Sequence, residues 1–345
     1  FLLLFLDQGI ISGSLRYPWK LENQQEKKIW EILLKAFKVI NPGIHTTIQD
    51  CGRYGFMKYG IPTSGAMDQY SYQVGNLLLG NSDNSASLEI TSHGLITEAI
   101  IPVTVAITGG DLSPYLNDYP ALQWAPVAMK KGDILYFKRR RKGFRAYLAV
   151  EGGFDTPESF GSKSAFIKGK IGVVLTKGDL LYIGSSDETK PIKIITLSRE
   201  YIPDFNKQEP IRVLLGPQED YFTSRGIDTF LNSIYIITSQ SDRMAYRTDG
   251  PPIEIAKGPG IISDPIPRGA IQVPADGKPI ILLRDAQVTG GYAKIATVIS
   301  VDMDRLGQMM PGDKIRFRQI SREMAIELLI EKKRKLDELK ELLIH

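Results

Sequence analysis

Three short signatures recur in the same order along this 345-residue chain, and that internal repeat limits the folds it can adopt. The first copy carries the signatures SGAM, TGG and GD at 64–67, 108–110 and 132–133, and the second carries SDRM, TGG and GD at 241–244, 289–291 and 312–313. Corresponding positions lie about 180 residues apart, and a near-constant offset is typical of a duplicated structural unit. We therefore expect two related units in tandem.

Short runs of β-branched and aromatic residues alternate with clusters of Gly, Pro, Asn and Asp from residue 37 onward, a pattern that predicts β-strands. The predicted strands include 103–108, 134–137, 147–150, 180–183, 211–215, 234–238, 280–283 and 315–317. The 32 glycines and 20 prolines favour a turn-rich β architecture over a helical bundle. Each Gly-Asp step, including a third at Gly178-Asp179, predicts a turn that opens a hairpin strand.

Two segments have the features of helices. One runs from Gln69 to Leu79, after a predicted N-cap at Asp68 and before Gly80. The other runs from Ser321 to Leu343 and closes the chain. The predicted fold class is therefore mostly β, with two tandem, internally duplicated units, a few helices and a C-terminal helix. The predicted domains are 37–190 and 191–320, followed by the helix at 321–345, with the boundary in the polar segment 187–205.

Charge and composition argue against several classes of protein. The net charge of +4 is mild, and the basic run Lys138–Lys142 is interpreted as a solvated hairpin tip, so we expect no nucleic-acid partner. No apolar run approaches the roughly 20 residues that cross a bilayer, so we expect no membrane span. The single cysteine, Cys51, fits a reducing compartment, which predicts a cytoplasmic location.

The sequence offers little for metal or conventional nucleotide binding. Of three histidines only His45 and His93 are interior, so neither a structural zinc site nor a Ser-His-Asp triad is expected. The GxxxxGK[ST] phosphate loop is also missing from the sequence. Any use of ATP would therefore need an unconventional site or a partner subunit.

The densest polar stretch begins at Arg284, directly after an apolar strand. Asp285 could accept or give a proton, Lys294 offers a point charge, and the N–H groups of Gly290 and Gly291 could face a developing oxyanion. A β-bulge with surface charges explains the same residues equally well.

Two further groups are ambiguous. Asp242 and Arg243 could form a turn salt bridge, or Arg243 and Arg247 could present guanidinium groups to a carboxylate or phosphate. Arg53 belongs to a similar polar stretch, in which Asp50 could simply cap a turn.

Six sequence motifs together resemble those of one family. They are TIQDCGR at 47–53, PTSGAMD at 62–68, GPQED at 216–220, SDRMAYR at 241–247, QVTGGYAKI at 287–295 and GQMMPGD at 307–313. The resemblance is to the biotin-dependent carboxyltransferase or allophanate hydrolase subunit 2 family, which includes the C subunit of ATP-dependent 5-oxoprolinase and KipA-like proteins. It covers about 37–320 and leaves 1–36 outside, as a truncated or non-native extension.

The resemblance implies two cyclophilin-like β-barrel units, ATP as cosubstrate, a B-type (KipI-like) subunit and an A-type (LamB/YcsF-like) subunit. It also implies a site. The catalytic candidates are Asp285, Lys294, Asp242 and Asp302. The substrate-binding candidates are Arg53, Ser64, Gln218, Arg243, Arg247, Gln287, Thr289, Gly290, Gly291 and Tyr292.

Three functions are compatible with the resemblance. The first is a subunit that opens the lactam of 5-oxo-L-proline to L-glutamate with B and A subunits. The second is transfer of a carboxyl group from carboxybiotin to urea or a similar amide. Under this hypothesis alone, biotin would be the cofactor. The third is a non-catalytic KipA-type regulator that binds a KipI-type partner.

Overall fold

A computed structural model describes residues 34–184, 196–206, 209–258 and 260–344. The predicted extension at 1–36 lies largely outside these residues, as does the first half of the predicted boundary segment at 187–205. The domain limits 37–190 and 191–320 therefore stay predictions.

The described residues form 22 strands, most of them short. They are β1 Leu34–Pro42, β2 His45–Gln49, β3 Ser87–Thr91, β4 Leu95–Ala99, β5 Val103–Asp111, β6 Pro114–Leu116, β7 Tyr119–Pro120, β8 Pro126–Met129, β9 Ile134–Phe137, β10 Lys142–Val150, β11 Phe154–Asp155, β12 Leu180–Ile183, β13 Ile211–Leu215, β14 Tyr235–Ile237, β15 Ala245–Asp249, β16 Gly260–Pro265, β17 Ala270–Gln272, β18 Ile280–Leu282, β19 Thr289–Tyr292, β20 Lys294–Val298, β21 Lys314–Ile315 and β22 Phe317–Gln319. The predicted mostly-β fold class is confirmed.

Four α-helices accompany the strands in the described ranges. They are α1 Gln69–Leu77, α2 Ser224–Asn232, α3 Met303–Gly307 and α4 Arg322–Ile344. Single 3₁₀ turns occur at Met57–Tyr59, Arg199–Tyr201, Glu219–Tyr221 and Ser300–Asp302. Both helix starts predicted from the sequence are confirmed, because Asp68 Oδ1 accepts from Ser71 N at 3.0 Å and Ser321 Oγ accepts from Met324 N at 3.2 Å.

The chain divides into two compact units. The first comprises the described residues up to Tyr54, those in Ser64–Pro203 and the end of α4 from Glu338. Among these residues, one sheet has the order β11-β12-β1-β4-β9-β6-β7 and a second the order β2-β3-β10-β5-β8. Their inner faces bury one apolar core that includes Phe37, Ile48, Leu88, Leu148 and Phe154.

The second unit comprises Gly55–Thr63 and Asp204–Asp337. Its described strands form an eight-stranded sheet of order β21-β14-β15-β18-β17-β20-β13-β22 and a separate ribbon of β16 with β19. Phe317 stacks on Phe230 of α2 at 4.5 Å between ring centroids and contacts Tyr235 at 5.9 Å, which fixes α2 to the sheet.

The Gly-Asp signature forms the same turn in both units. Asp133, Asp179 and Asp313 each accept a hydrogen bond from the backbone N–H three residues earlier, at 2.7, 2.6 and 2.9 Å. The preceding glycines have φ of 88°, 91° and 93°, which favours a residue without Cβ. β9, β12 and β21 begin directly after these turns. The prediction that Gly-Asp forms a turn opening a strand is therefore confirmed at all three positions. The predicted hairpins are wrong, because β9 pairs with β4 and β6, β12 with β1 and β11, and β21 with β14.

We expect Gly312→Ala to lower the free energy of unfolding by about 1–2 kcal/mol, the cost of holding an L-residue in the left-handed region. Open space surrounds a Cβ at Gly312, so backbone strain is the only cost. Gly260 offers the same open space without positive φ, so Gly260→Ala is the matched control and should cost almost nothing. Urea denaturation measures both, and equal stability of the two variants would contradict this role for Gly312.

Candidate functional site

A buried lysine lies at the centre of the polar cluster in the second unit. Lys294 begins β20, and its side chain is 2% exposed. Its Nζ donates to Asp264 Oδ2 of β16 at 2.7 Å, whereas the Asp264 side chain is 43% exposed. A buried ammonium requires such a counter-ion, because removing an unpaired charge from water is costly. The Lys294 cation is therefore buried, and its counter-ion Asp264 lies at the surface.

The turn after β13 holds Lys294 through its backbone. Gln218 Oε1 accepts from the backbone N–H of Lys294 at 3.3 Å. Hydrogen bonding to Lys294, with a smaller contribution from Gln218, lowers the pKa of Asp264 below its ordinary value. The fold thus brings together Gln218 and Lys294, both of which are candidates from the sequence. They lie beside the Asp264 carboxylate, which is not among those candidates.

The predicted Thr-Gly-Gly-Tyr segment forms β19 of the ribbon. Gly290 pairs with Asp264, and Thr289 pairs with Pro265. A Cβ at Gly290 would lie 2.7 Å from Ile266 Cδ1, so a larger residue there requires the Ile266 side chain to move. Thr289 and Tyr292 are exposed, and Gly291 is half-buried. The ribbon therefore places an accessible glycine strand beside the Lys294–Asp264 pair.

Arg243 and Asp285 form a second buried pair in this unit. Arg243 Nε donates to Asp285 Oδ2 at 2.9 Å and Nη2 donates to Oδ1 at 3.4 Å, with both side chains at least nine-tenths buried. Asp285 N also donates to Arg243 O at 3.0 Å, which ties the chain after β18 to the chain before β15. This geometry favours a structural role for both residues, and their catalytic and binding roles stay predictions.

Four other candidates belong to the second unit, namely Asp242, Asp302, Arg247 and Gln287. Asp242 caps a turn by accepting from Met244 N at 2.7 Å. Asp302 is fully buried and accepts from Arg212 Nε at 3.1 Å and Nη2 at 2.5 Å. Arg247 and Gln287 are exposed. Both aspartates therefore have clear structural roles, and the acid/base role proposed for them stays a prediction.

Arg53 and Ser64 belong to the first unit, where both are buried. Arg53 Nη2 donates to Ser164 O, and Asp50 accepts from Gly52 N at 2.8 Å and Ser162 Oγ at 2.7 Å. Asp50 therefore closes a turn, as one of the two interpretations of the sequence predicts. Ser64 has φ of 52°, in the left-handed region that non-glycine residues rarely adopt.

A buried tyrosine and glutamate anchor the Ser64–Asp68 loop. Tyr147 donates to Glu89 Oε2 at 2.8 Å and accepts from Asp68 N at 2.8 Å, while Met67 N donates to the same Glu89 oxygen at 2.8 Å. Burial and the neighbouring Glu89 carboxylate raise the pKa of Tyr147 well above its ordinary value. Tyr147 therefore stays a neutral donor, and the loop is held rigidly at the start of α1.

Neither a metal-binding cluster nor a membrane-spanning helix occurs among the described residues. No group of three or more His, Cys, Asp or Glu side chains in these residues is arranged to hold a metal ion. Within the same ranges, none of the helices has the length and apolarity needed to span a bilayer.

Five of the six motifs lie within the residues that one family model matches. The family model described as carboxyltransferase domain, subdomains A and B, matches residues 59–319. The chain belongs to this family. The matched segment includes the Ser64–Asp68 loop, the Lys294–Asp264 pair and the Arg243–Asp285 pair.

Two curated relatives differ in how much of their length the match covers. The chain is 37% identical over 306 residues to the C subunit of 5-oxoprolinase from Escherichia coli, a match that covers 88% of this chain and 97% of the relative. It is 32% identical over 313 residues to urea amidolyase of Saccharomyces cerevisiae, covering 85% of this chain and 17% of the relative. The chain thus corresponds to nearly all of one relative and to one part of the other.

A solved structure shares the fold. The crystal structure of the K. lactis urea amidolyase superimposes with a TM-score of 0.83 and 29% identity, covering 92% of this chain and 21% of that chain. The chain spans about a fifth of that enzyme, and the similarity confirms the carboxyltransferase-domain fold.

Asp264, Glu89 and Tyr147 are not among the site residues predicted from the sequence. Asp264 stands alone in the segment SDPIP, 30 residues before Lys294, and only the pairing of β16 with β19 brings it to the site. Glu89 and Tyr147 sit within apolar strands, where a single polar residue gives no indication of its partner.

We expect Arg243→Met to cost about 3–5 kcal/mol of stability, because it leaves the Asp285 carboxylate buried without its counter-ion. The double variant Arg243→Met, Asp285→Leu should be more stable than the sum of the two single effects predicts. Urea denaturation measures all four proteins. Lys257→Met, which breaks an exposed pair with Asp220, is the control and should cost at most about 1 kcal/mol. Additive single effects would contradict a coupled pair.

The Lys294–Asp264 pair should make stability depend on pH in a defined direction. The folded-state pKa of Asp264 is lowered, so its stabilising effect is full above its unfolded pKa of about 3.9 and is lost as the pH falls through the folded value. Wild type should therefore exceed Asp264→Asn in stability at pH 7 and lose this advantage below about pH 4.

Denaturation by urea at several pH values measures this difference. The internal control is a Lys294→Met background, where the pKa of Asp264 is no longer lowered by Lys294 and the pH-dependent difference should shrink. A difference that stays constant from pH 7 to about pH 3 would show that the two side chains are not coupled.

Proposed function

We propose that this chain is the C subunit of an ATP-dependent 5-oxoprolinase, which opens 5-oxo-L-proline to L-glutamate together with a B-type (KipI-like) and an A-type (LamB/YcsF-like) subunit. The observation that carries the proposal is the match to 97% of the E. coli relative, a C subunit of 5-oxoprolinase, at 37% identity. A chain that corresponds to nearly the whole of a separate subunit is suited to act as one. By contrast, it covers 17% of the yeast urea amidolyase.

The site supports chemistry at a lactam carbonyl. A lactam is a poor electrophile, and hydrolysis requires donors where negative charge develops on its oxygen. Lys294 supplies a positive charge in a water-poor position, where its electrostatic effect is stronger than in bulk solvent. The accessible glycine strand of β19 allows close approach of a small substrate.

ATP belongs to the proposal as the driving cosubstrate, handled with the partner subunits. Hydrolysis of ATP would supply the energy that activates the lactam, and we assign its phosphates to no residue of this chain.

The test is assembly of the wild-type chain with its B and A partners, followed by assays of 5-oxoproline-dependent ATP hydrolysis and of glutamate formation. Lys294→Met should reduce glutamate formation about 100-fold or more, because it removes the cation from the site. Lys278→Met is the matched control, since Lys278 forms a similar pair with Asp249 at 2.6 Å on the exposed surface of the same unit. The control should keep wild-type rates.

The outcomes separate the assignments. Glutamate formation that Lys294→Met leaves unchanged would keep the oxoprolinase proposal and remove Lys294 from its site. A stable assembly of the three subunits without 5-oxoproline turnover would refute the proposed function.

Transfer of a carboxyl group is the second candidate, favoured by the family description and by the 32% identity to urea amidolyase. In that reaction carboxybiotin on another domain would be the donor and urea or a similar amide the acceptor. Urea-dependent consumption of carboxybiotin by the chain, without 5-oxoproline turnover by the assembly, would favour it. The role of a KipA-type regulator stays a prediction.

A further inference from the structure

The Lys294 ammonium has more hydrogen-bonding capacity than its surroundings use. An ammonium carries three N–H donors. In the part of the chain that the structure describes, its acceptor is Asp264 Oδ2 at 2.7 Å. Because the side chain is 2% exposed, bulk water reaches it poorly, and unsatisfied donors at such a position are costly. A ligand that approaches the exposed Asp264 carboxylate comes within about one hydrogen-bond length of this ammonium and can offer it an acceptor atom.

The Asp264 carboxylate has the complementary property. An ionised carboxylate only accepts hydrogen bonds and has about four acceptor positions on its two oxygens. Lys294 donates a hydrogen bond to one of these oxygens, and the Asp264 side chain still remains 43% exposed on the ribbon. The pair therefore offers donors and acceptors side by side, about one hydrogen-bond length apart.

This combination discriminates between classes of ligand. A simple anion would meet Lys294 but would be repelled by Asp264, which has a lowered pKa and remains ionised at neutral pH. An amide has both an acceptor, its carbonyl oxygen, and a donor, its N–H. In a small lactam ring the amide is cis, so the carbonyl oxygen and the N–H lie on the same edge. Urea presents an equivalent edge.

We propose that Lys294 and Asp264 form an amide-recognition subsite, in which Lys294 donates to the carbonyl oxygen of the substrate and Asp264 accepts from its N–H. Asp264 is then a specificity-determining residue, and Gln218 positions Lys294 through the backbone N–H. Gly290 lies opposite Asp264 in the ribbon, where a side chain would displace Ile266 and crowd the subsite. The choice of 5-oxoproline as the amide rests on the proposed function.

The subsite can be tested by binding, without turnover. Isothermal titration calorimetry of the full chain, alone and in its assembly with both partners, would compare 5-oxo-L-proline, N-methyl-5-oxo-L-proline and urea. N-methylation removes the N–H and keeps the carbonyl and the carboxylate. Wild type should bind 5-oxoproline about tenfold or more tightly than its N-methyl derivative, since the lost hydrogen bond is to a charged group.

Variants assign the preference to residues. Asp264→Leu should bind the two lactams within about twofold of each other, because the acceptor for the N–H is gone. Asp264→Asn retains the side-chain size and should weaken the preference, which keeps the test available if the leucine variant does not fold. Asp249→Leu, in the exposed Lys278–Asp249 pair, should keep the wild-type preference.

Three results would overturn the subsite. They are equal binding of both lactams by wild type, an unchanged preference in Asp264→Leu, and no binding of any of the three amides by chain or assembly. Failure of the proposed function looks different. Urea bound with dependence on Asp264, together with absent 5-oxoproline turnover, would keep the subsite and reject the oxoprolinase. Glutamate formation with no lactam preference would keep the oxoprolinase and reject the subsite.

Discussion

Burial of charge is the constraint on which the loops of both units depend. Desolvating an ionised group costs several kcal/mol unless a partner and additional hydrogen bonds compensate. In the first unit Asp50 meets this cost with the 162–164 segment, and Glu89 meets it with Tyr147 and the backbone of Met67. In the second unit Asp302 does so with Arg212. Each buried charge thereby fixes a loop far away in sequence.

The Lys294–Asp264 pair differs from these in one respect. Asp285 faces Arg243, which is 7% exposed, and Asp302 faces Arg212, which is 29% exposed, whereas Lys294 faces a carboxylate that is 43% exposed. A closed network stabilises a fold, but a pair with one member exposed also presents unused hydrogen-bonding positions. The physical distinction between scaffold and candidate site in this unit is therefore one of degree, namely how much of the counter-ion is exposed.

The two copies of the repeat differ in the exposure of their signature residues. In the first copy Ser64 and Thr108 are completely buried, and Thr108 Oγ1 donates to Ser71 O at 2.7 Å to hold α1 against β5. In the second copy Thr289 is exposed on the ribbon. The same signature thus serves packing in one unit and borders the candidate site in the other.

Local signals could be predicted from the sequence, and long-range pairing could not. The Asp68 cap, the Gly-Asp turns and the density of polar residues around Lys294 depend on neighbours within a few positions. The ion pairs of Asp285 and Asp302 could not be predicted, because their arginine partners lie 42 and 90 residues away. Asp264 was missed for the same reason, since only the register of β16 against β19 places it beside Lys294.

The ribbon of β16 and β19 also bears on how this family could acquire new substrates. Lys294 lies in the eight-stranded sheet, where substitution disturbs the packing, whereas Asp264 lies in a two-stranded element outside that sheet. Changes at ribbon positions other than Asp264 can therefore alter the shape and polarity presented to a ligand at little cost to the sheet, whereas Asp264 is required as the counter-ion of Lys294. Substitutions in β16 could therefore change which amide is preferred, while Lys294 stays in place.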